Sequence, residues 1–403
     1  MFVVLALTVG GFLLVIGLRL TAQHAMMAAV RRLRATATNR LADRRRALVT
    51  SGSLEKWLTG YYSERGASAS LPTIRHNSKV RTLPLYAPKA WRWGPDVSPL
   101  KLGDFEAVLS SGNLVHRDAN EQPPDAVRAR GKALGRAIWN GDAMEILALP
   151  DHYQSSVRAR NVGYFHIAEP MIRLEDEAAT CAPSRWRRPK IRDGRPCPPL
   201  ATVTGLGGTA VVVYDSDEGA RLLIHRRSRD VATNPGLWCT IPTFIVEDPT
   251  ASGRERTSYD LTVWNVLREV LEEVFDVDEV TRAHRRTNAD WFFDEVSFAS
   301  ELAAQYQSGA VQLFHLGWSL NLLNGLLDSM TLVYVRGDRN LYEKLFKNVK
   351  GSKLEVDDRD GSILWLPLDS STLRDLMVEP TFHAGSALAI DVVLELLPVI
   401  RRG

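Results

Sequence analysis

The chain has 403 residues, 45% hydrophobic and 24% charged, with 50 Lys and Arg against 47 Asp and Glu. That composition belongs to an ordered globular protein with length enough for two domains. A formal net charge of +3 is too small to mark a nucleic-acid binder, and three cysteines without metal-ligand spacing (Cys181, Cys197 and Cys239) argue against a disulfide framework and a structural zinc site.

Residues Phe2 to Leu18 carry no charge and are almost all apolar. At about 1.5 Å rise per residue the stretch is just long enough to cross a ~30 Å hydrocarbon core. No Lys or Arg stands between Met1 and the run, so the basic start of a cleavable signal is missing. Arg19, Arg31, Arg32, Arg34, Arg40, Arg44, Arg45 and Arg46 follow it. The expectation is a single-pass anchor over 1–20 in the cell membrane, with the N-terminus outside and the bulk of the chain cytoplasmic. Residues 21–50 are rich in Ala, Arg and Leu, without Pro or Gly, and read as a basic juxtamembrane helix. Its basic side either is a solvated, self-associating stalk, giving a homo-oligomer, or touches anionic membrane lipid at about 1 kcal/mol per basic residue.

Residues 51–200 form a mixed accessory region. Trp57, Tyr61, Tyr62, Trp91 and Trp93 exclude a disordered composition. Pro and Gly at 84, 88, 94, 95, 98 and 103 favour short strands and turns, and periodic apolar positions predict a helix over Asp125–Ala148. Pro183 to Leu200 is basic and Pro-rich, either a solvated linker or a loop that contacts phosphate. No internal repeat is present.

The region 201–403 carries the chemistry. Gly205-Leu206-Gly207-Gly208 precedes a strand and lacks the strand-before, helix-after setting of a phosphate loop, which rules that reading out. Thr209–Tyr214 and Arg221–Arg226 read as a hairpin around a polar turn at Asp215–Gly219. Asn234-Pro235-Gly236-Leu237-Trp238 is a turn that opens a strand through Val246. A helix is expected from Ser258, as N-cap, to Phe275. On it Glu269, Glu272 and Glu273 share one narrow sector, being related by i, i+3 and i+4, while Val263, Leu267, Val270, Leu271 and Val274 take the opposite side. Three crowded carboxylates repel one another, and a hard divalent cation with oxygen ligands relieves that repulsion. The bland alternative is a solvated acidic face.

Arg268-Glu269-Val270-Leu271-Glu272-Glu273 resembles the core of the Nudix box, Arg-Glu-aliphatic-x-Glu-Glu. Arg226-Arg227-Ser228 and Pro235-Gly236-Leu237-Trp238 resemble the strand and turn before that box. Leu316–Ser319, Leu332–Val335 and Ile363–Leu368 resemble the later strands, and Ala384–Leu397 the final helix. The resemblance covers about half the chain. It implies an α/β fold, a mixed β-sheet sandwiched between helices, here preceded by the membrane helix, the stalk and the accessory region. It implies metal-dependent hydrolysis of a nucleoside diphosphate-linked substrate, with Mg²⁺ or Mn²⁺ on Glu269, Glu272 and Glu273, one of which acts as base. Arg268 would support the loop and helix through an ion pair.

The chain departs from the pattern at Phe275, where the box ends in Gly, and at Thr243-Phe244, where Gly-Gly follows the strand Pro. Asp260 replaces the Glu expected eight residues before Arg268. Gly253 lies seven residues before Asp260 rather than six, and the Pro242–Arg268 segment is about ten residues too long. Arg-Arg-Ser and Pro-Gly-Leu-Trp also resemble isopentenyl diphosphate isomerase, whose Cys-Gly-His segment is absent. A second implication comes from architecture. Membrane helices joined to a degenerate Nudix-like domain resemble effectors of bacterial anti-phage signalling that sense cyclic nucleotides. The expected partners are therefore a nucleotide or nucleotide-linked small molecule and membrane lipid, and no nucleic acid. Specificity is expected in loops over Asp276–Ser329. Trp291, Phe292, Phe293 and Trp318 there either pack in the core or stack a base.

Overall fold

The structure is a computed structural model that describes residues 44, 47–49, 51–104, 108–110, 121–133, 138, 140–181, 187, 190–192, 195–197, 205–227, 236–249, 257–275, 289–337, 339–346 and 363–402. The apolar run Phe2–Leu18, nearly all of the stalk, most of 183–200, Ser228, Asn234, Pro235, Gly253 and residues 276–288 lie outside the described residues. Among the described residues no helix is long and apolar enough to cross a membrane.

In chain order the elements begin with α1 (Ser53–Tyr62), the hairpin β1 (Thr73–His76) and β2 (Lys79–Thr82), and the short strands β3 (Leu85–Tyr86), β4 (Leu100–Lys101) and β5 (Val108–Ser110). Next come α2 (Asp125–Ala133), β6 (Asp142–Ile146), β7 (Val157–Gly163), α3 (Tyr164–Thr180), β8 (Lys190–Arg192) and β9 (Arg195–Cys197). The long hairpin β10 (Leu206–Ser216) and β11 (Gly219–Arg226) follows, then β12 (Trp238–Thr240), β13 (Thr243–Ile245) and α4 (Leu261–Glu269), which continues as a π-turn over Val270–Val274. The chain goes on through α5 (Trp291–Glu295), α6 (Ser297–Gln307), β14 (Val311–Asn321), β15 (Leu327–Arg336), α7 (Arg339–Phe346), β16 (Ile363–Pro367), α8 (Ser371–Met377) and α9 (Ala384–Ile400).

Three expected elements are corrected. The helix expected over Asp125–Ala148 is described over Asp125–Ala133 and does not reach Ala148, since Asp142–Ile146 is a strand, β6, paired antiparallel with β7. Gly131, Gly135 and Gly141 weaken a helix there, and the β7 ladder overrides the apolar periodicity. The strand expected through Trp238–Val246 breaks at Ile241-Pro242, since Pro has no N–H for the ladder; β12 pairs with β11 and β13 with β10. Much of the span read as specificity loops is regular: α5, α6 and β14 fill most of 291–321.

Among the described residues the main sheet has nine strands, in the order β12-β11-β10-β15-β14-β3, with β13 on β10, β16 on β11 and β4 on β14. It is mixed: β10 and β15 run parallel from Leu206↔Leu327 to Asp215↔Arg336, and the other pairs are antiparallel. Side chains alternate between its faces. Ala210 and Val212 pack with Val263, Leu267, Val270 and Leu271 under α4 and the π-turn. Val211 and Val213 pack with Leu388, Val392 and Leu396 of α9 on the other face. Each such buried aliphatic side chain contributes about 1.5–3 kcal/mol. The protein is thus a mixed α/β fold with its sheet between helices.

The middle region is knitted to this sheet. β3 and β4 pair with β14, and two buried arginines bolt α1 in place. Arg187 donates to the carbonyls of Leu322, Leu323 and Leu174 and lies 5.7 Å over the Trp57 ring. Arg81 pairs with Glu55 and donates to Met377 O at 2.8 Å and Phe382 O at 2.7 Å, just before α9.

Candidate functional site

Asp260, not Ser258, caps α4: its Oδ1 accepts from the backbone N–H groups of Thr262 at 2.8 Å and Val263 at 3.2 Å. A capping carboxylate satisfies orphan donors and suits the helix dipole. Ser258 instead donates to Asp290. The apolar residues Val263, Leu267, Val270, Leu271 and Val274 are all buried against the sheet. Glu269 ends the α-helical part, and Glu272 and Glu273 lie in the π-turn, whose wider turn rotates them away from their ideal α-helical bearing relative to Glu269.

These carboxylates do not form a solvated face. Glu269 and Glu273 are 8% and 6% exposed, and Arg268 is 2% exposed. Arg268 is the hub: it meets Glu269 at 2.5 Å, Glu272 at 3.3 Å and Glu247 at 3.8 Å, with its guanidinium 5.2 Å over the Trp264 ring. Glu247 enters from the segment after β13, held by Asn265, whose Oδ1 accepts from Glu247 N and whose Nδ2 donates to Glu247 O. Glu273 turns to β13 and accepts from Thr243 N at 3.1 Å, and Thr243 Oγ1 in turn accepts from Arg227. Burial pushes the Glu269 carboxyl well above the usual range; Arg268 pulls it down, and Glu272, Glu273 and Glu247 push it up again.

The structure therefore brings Arg268, Glu269, Glu272 and Glu273 together and adds Glu247, Asn265, Thr243 and Arg227, which the sequence reading missed. Glu247 offered a signal only as a carboxylate just past a strand end; its distance from Arg268 along the chain hid the contact. Among the described residues no three acidic, His or Cys groups stand gathered to hold a metal ion. The donor set still fits a hard divalent cation by chemistry: three carboxylates on one guanidinium, with Glu273 close enough to act on Glu269, leave negative charge in excess when ionised, and all offer oxygen. A cation there competes with Arg268 for Glu269 and Glu272.

Two departures from the Nudix pattern, at Phe275 and Phe244, have a structural account. Phe275 lies at φ −109°, so no positive φ is needed, and its ring packs 4.1 Å from Phe298 and 6.1 Å from Phe346. Phe244 lies over Gly208. Trp291, Phe292, Phe293 and Trp318 are buried in the core beneath α4 to α6, which answers the choice between packing and base stacking in favour of packing.

No protein-family model matches the chain, and no curated protein matches it. Among solved structures, it is similar to a bifunctional NMN adenylyltransferase/ADP ribose pyrophosphatase from Francisella tularensis, at 12% identity and TM-score 0.28 over 48% of this chain and 41% of that one. The same Francisella protein complexed with AMP and Mn ion gives 12% identity and TM-score 0.26, over 47% and 41%. A NUDIX hydrolase from Alicyclobacillus acidocaldarius gives 17% identity and TM-score 0.25, over 43% of this chain and 82% of that one. The chain thus spans about two-fifths of the length of the Francisella protein. Similarities this distant carry no argument about ligand or activity, which must come from the chain's own residues.

Proposed function

We propose that the C-terminal half of the chain is a Nudix-type module that binds a nucleoside diphosphate-linked ligand through a divalent cation and hydrolyses its phosphoanhydride. The observation that carries this reading is the gathering of Glu247, Glu269 and Glu272 on the buried Arg268, with Glu273 beside Glu272 on the same π-turn and close enough to act on Glu269. Glu269, Glu272 and Glu273 would hold Mg²⁺ or Mn²⁺, which when bound supplies charge neutralisation for phosphoryl oxygens. Arg268 holds Glu269 and Glu272 in place, and Asn265 fixes the backbone on both sides of Glu247. Glu273 ties the π-turn to the start of β13, so the carboxylates keep a set height above the sheet. In the reaction a water oxygen bonds to phosphorus, the bridging P–O bond breaks, and a carboxylate takes the water's proton.

The test is turnover of dinucleotides and nucleotide sugars by the full chain with Mg²⁺ or Mn²⁺. We expect hydrolysis that falls at least a hundredfold in Glu272→Gln and Glu273→Gln. No turnover of any of them sinks the hydrolase.

One observation favours a second reading. Thr243, Phe244 and Phe275 occupy the glycine positions of the pattern, and both aromatic rings are packed in place. A module so altered suits a nucleotide sensor that drives self-association of the N-terminal helices at the membrane. Tight nucleotide binding without consumption, with a change in oligomeric state, is its signature. In either reading the apolar run Phe2–Leu18 serves as the tether, which membrane fractionation of the full chain and of a chain lacking residues 1–20 would check.

A further inference from the structure

The accessory region meets the carboxylate cluster through one buried side chain. On β7 the side chains of Val157, Ala159 and Asn161 fall on one face by strand alternation. Val157 and Ala159, with Met144 of β6, lie in the same core as Val246 and as Val263 and Leu267 of α4. Asn161, in register with Met144, is the polar member of this row. Its Nδ2 donates to Asp248 Oδ2 at 2.8 Å, and the two residues are only 8% and 7% exposed. Asn161 Oδ1 is buried without a hydrogen-bond partner, so the bond to Asp248 is what fixes this side chain. An apolar residue would continue the row without burying an unused acceptor. The amide is there for Asp248.

Asp248 follows Glu247, the carboxylate that comes to Arg268 from outside α4. Three separate parts of the fold hold this short stretch. Val246 N donates to Leu206 O of β10 at 3.0 Å. Asn265 of α4 takes Glu247 N on its Oδ1 at 3.0 Å and donates to Glu247 O at 2.8 Å. Asn161 holds Asp248 from the accessory side. β6 is anchored close by, since Glu145 bridges to Gly205, the residue before Leu206. At 3.8 Å the Glu247 contact is the longest of the three ion pairs on Arg268, against 2.5 Å and 3.3 Å for Glu269 and Glu272. A small turn of the Glu247–Asp248 peptide therefore decides whether it is made.

We propose that Asn161 is a positioning residue of the cation site: through Asp248 it sets the orientation of Glu247, and so makes the accessory region part of that site. This rests on the cation reading above. A cation that draws Glu269 and Glu272 to itself leaves Arg268 with Glu247, of the three carboxylates that it meets. Glu247 in place keeps the buried guanidinium paired and lets the other two go. Glu247 displaced leaves Arg268 to hold them against the cation. When Asp248 loses its amide donor, its buried carboxylate must turn toward water or another donor, and the peptide to Glu247 turns with it. Groups that orient metal-site residues from behind change metal affinity by about 10- to 100-fold.

The experiment is isothermal titration calorimetry of the full chain with Mn²⁺ alone. The proteins are wild type, Asn161→Ala, Asp248→Asn, Glu247→Gln, the double variant Asn161→Ala/Glu247→Gln, and Glu272→Gln as reference. Asn161→Ala should weaken Mn²⁺ binding at least about tenfold. Asp248→Asn leaves no cavity, trades a charge-assisted hydrogen bond for a neutral one, and should weaken binding less but in the same direction. It decides the question should the alanine variant fail to fold. Asn161→Ala should add nothing to Glu247→Gln, because the route through Glu247 is already cut, whereas a merely structural loss would add in full. Unchanged affinity in the folded variants, or full additivity with Glu247→Gln, overturns the positioning role and leaves the cation site standing. A wild type that binds no Mn²⁺, or Glu272→Gln that binds it as tightly as wild type, overturns the cation site and this role with it.

Discussion

Phe244 sits in register across from Gly208, its ring so close that a Cβ on residue 208 would come within 2.3 Å of it. Where the Nudix pattern has Gly-Gly after the strand Pro, this chain has Thr243-Phe244, and the added bulk is taken up by a glycine on the neighbouring strand. The two positions are therefore one packing unit.

Gly208→Ala should destabilise the fold by about 1–3 kcal/mol through overpacking. In a Phe244→Ala background the same change should cost little, because the ring it strikes is gone. Urea unfolding of the two single variants and the double variant checks the coupling. Additive effects would show that the contact is slack.

Removing the hub of the carboxylate cluster should expose its charge. Arg268→Ala leaves Glu269, Glu272 and Glu247 without their common partner, and loss of a buried ion-pair partner costs about 3–5 kcal/mol. Mg²⁺ or Mn²⁺ should then raise the melting temperature of the variant more than that of wild type, since the cation no longer competes with the guanidinium. A smaller metal-dependent shift in the variant would argue against cation binding at these carboxylates.

Asp328 and the buried histidines make opposite contributions to stability against pH. In an unfolded chain Asp titrates near about 3.9, and in the fold burial holds Asp328 up to about 7. Between those values only the unfolded state has released the proton, so this contribution to stability falls as pH rises from about 4 to about 7, by a few kcal/mol, and is level above. His225, His315 and His383 are pushed down to about 3, chiefly by burial, so their contribution is full above about 6.5 and is lost as pH falls. Asp328→Asn should gain stability relative to wild type from pH 4.5 to pH 8, with the histidine contribution cancelling in the difference. A difference that stays constant across that range would mean Asp328 is not held protonated.

Arg187 joins α1 to α3 and to the turn between β14 and β15. Arg187→Ala leaves three carbonyls and Glu177 without this donor, and should cost about 3–5 kcal/mol. Because α1 depends on this contact and on Arg81, hydrogen exchange over 53–62 should accelerate before exchange in β10 or β15 does. Uniform acceleration across the chain would show that α1 is part of the main cooperative unit.

What the sequence determined by itself was local. Alternation and turn residues placed the hairpin of β10 and β11, and 3.6-residue periodicity placed the apolar face of α4 with its three glutamates, because these patterns depend on neighbours a few positions apart. Even there tertiary packing moved the ends: Asp260 took the cap from Ser258, the last turn widened at Val270–Val274, and the β7 ladder turned Asp142–Ile146 from helix to strand. Only the fold decided which distant groups meet. Glu247 reaches Arg268, Phe244 fills the space above Gly208, and Gly207 makes room for Asp328 beside Ser319, because strands far apart in the chain are hydrogen-bonded in one register. Register is a property of the assembled sheet: shifting it by one residue would send each of these side chains to the opposite face.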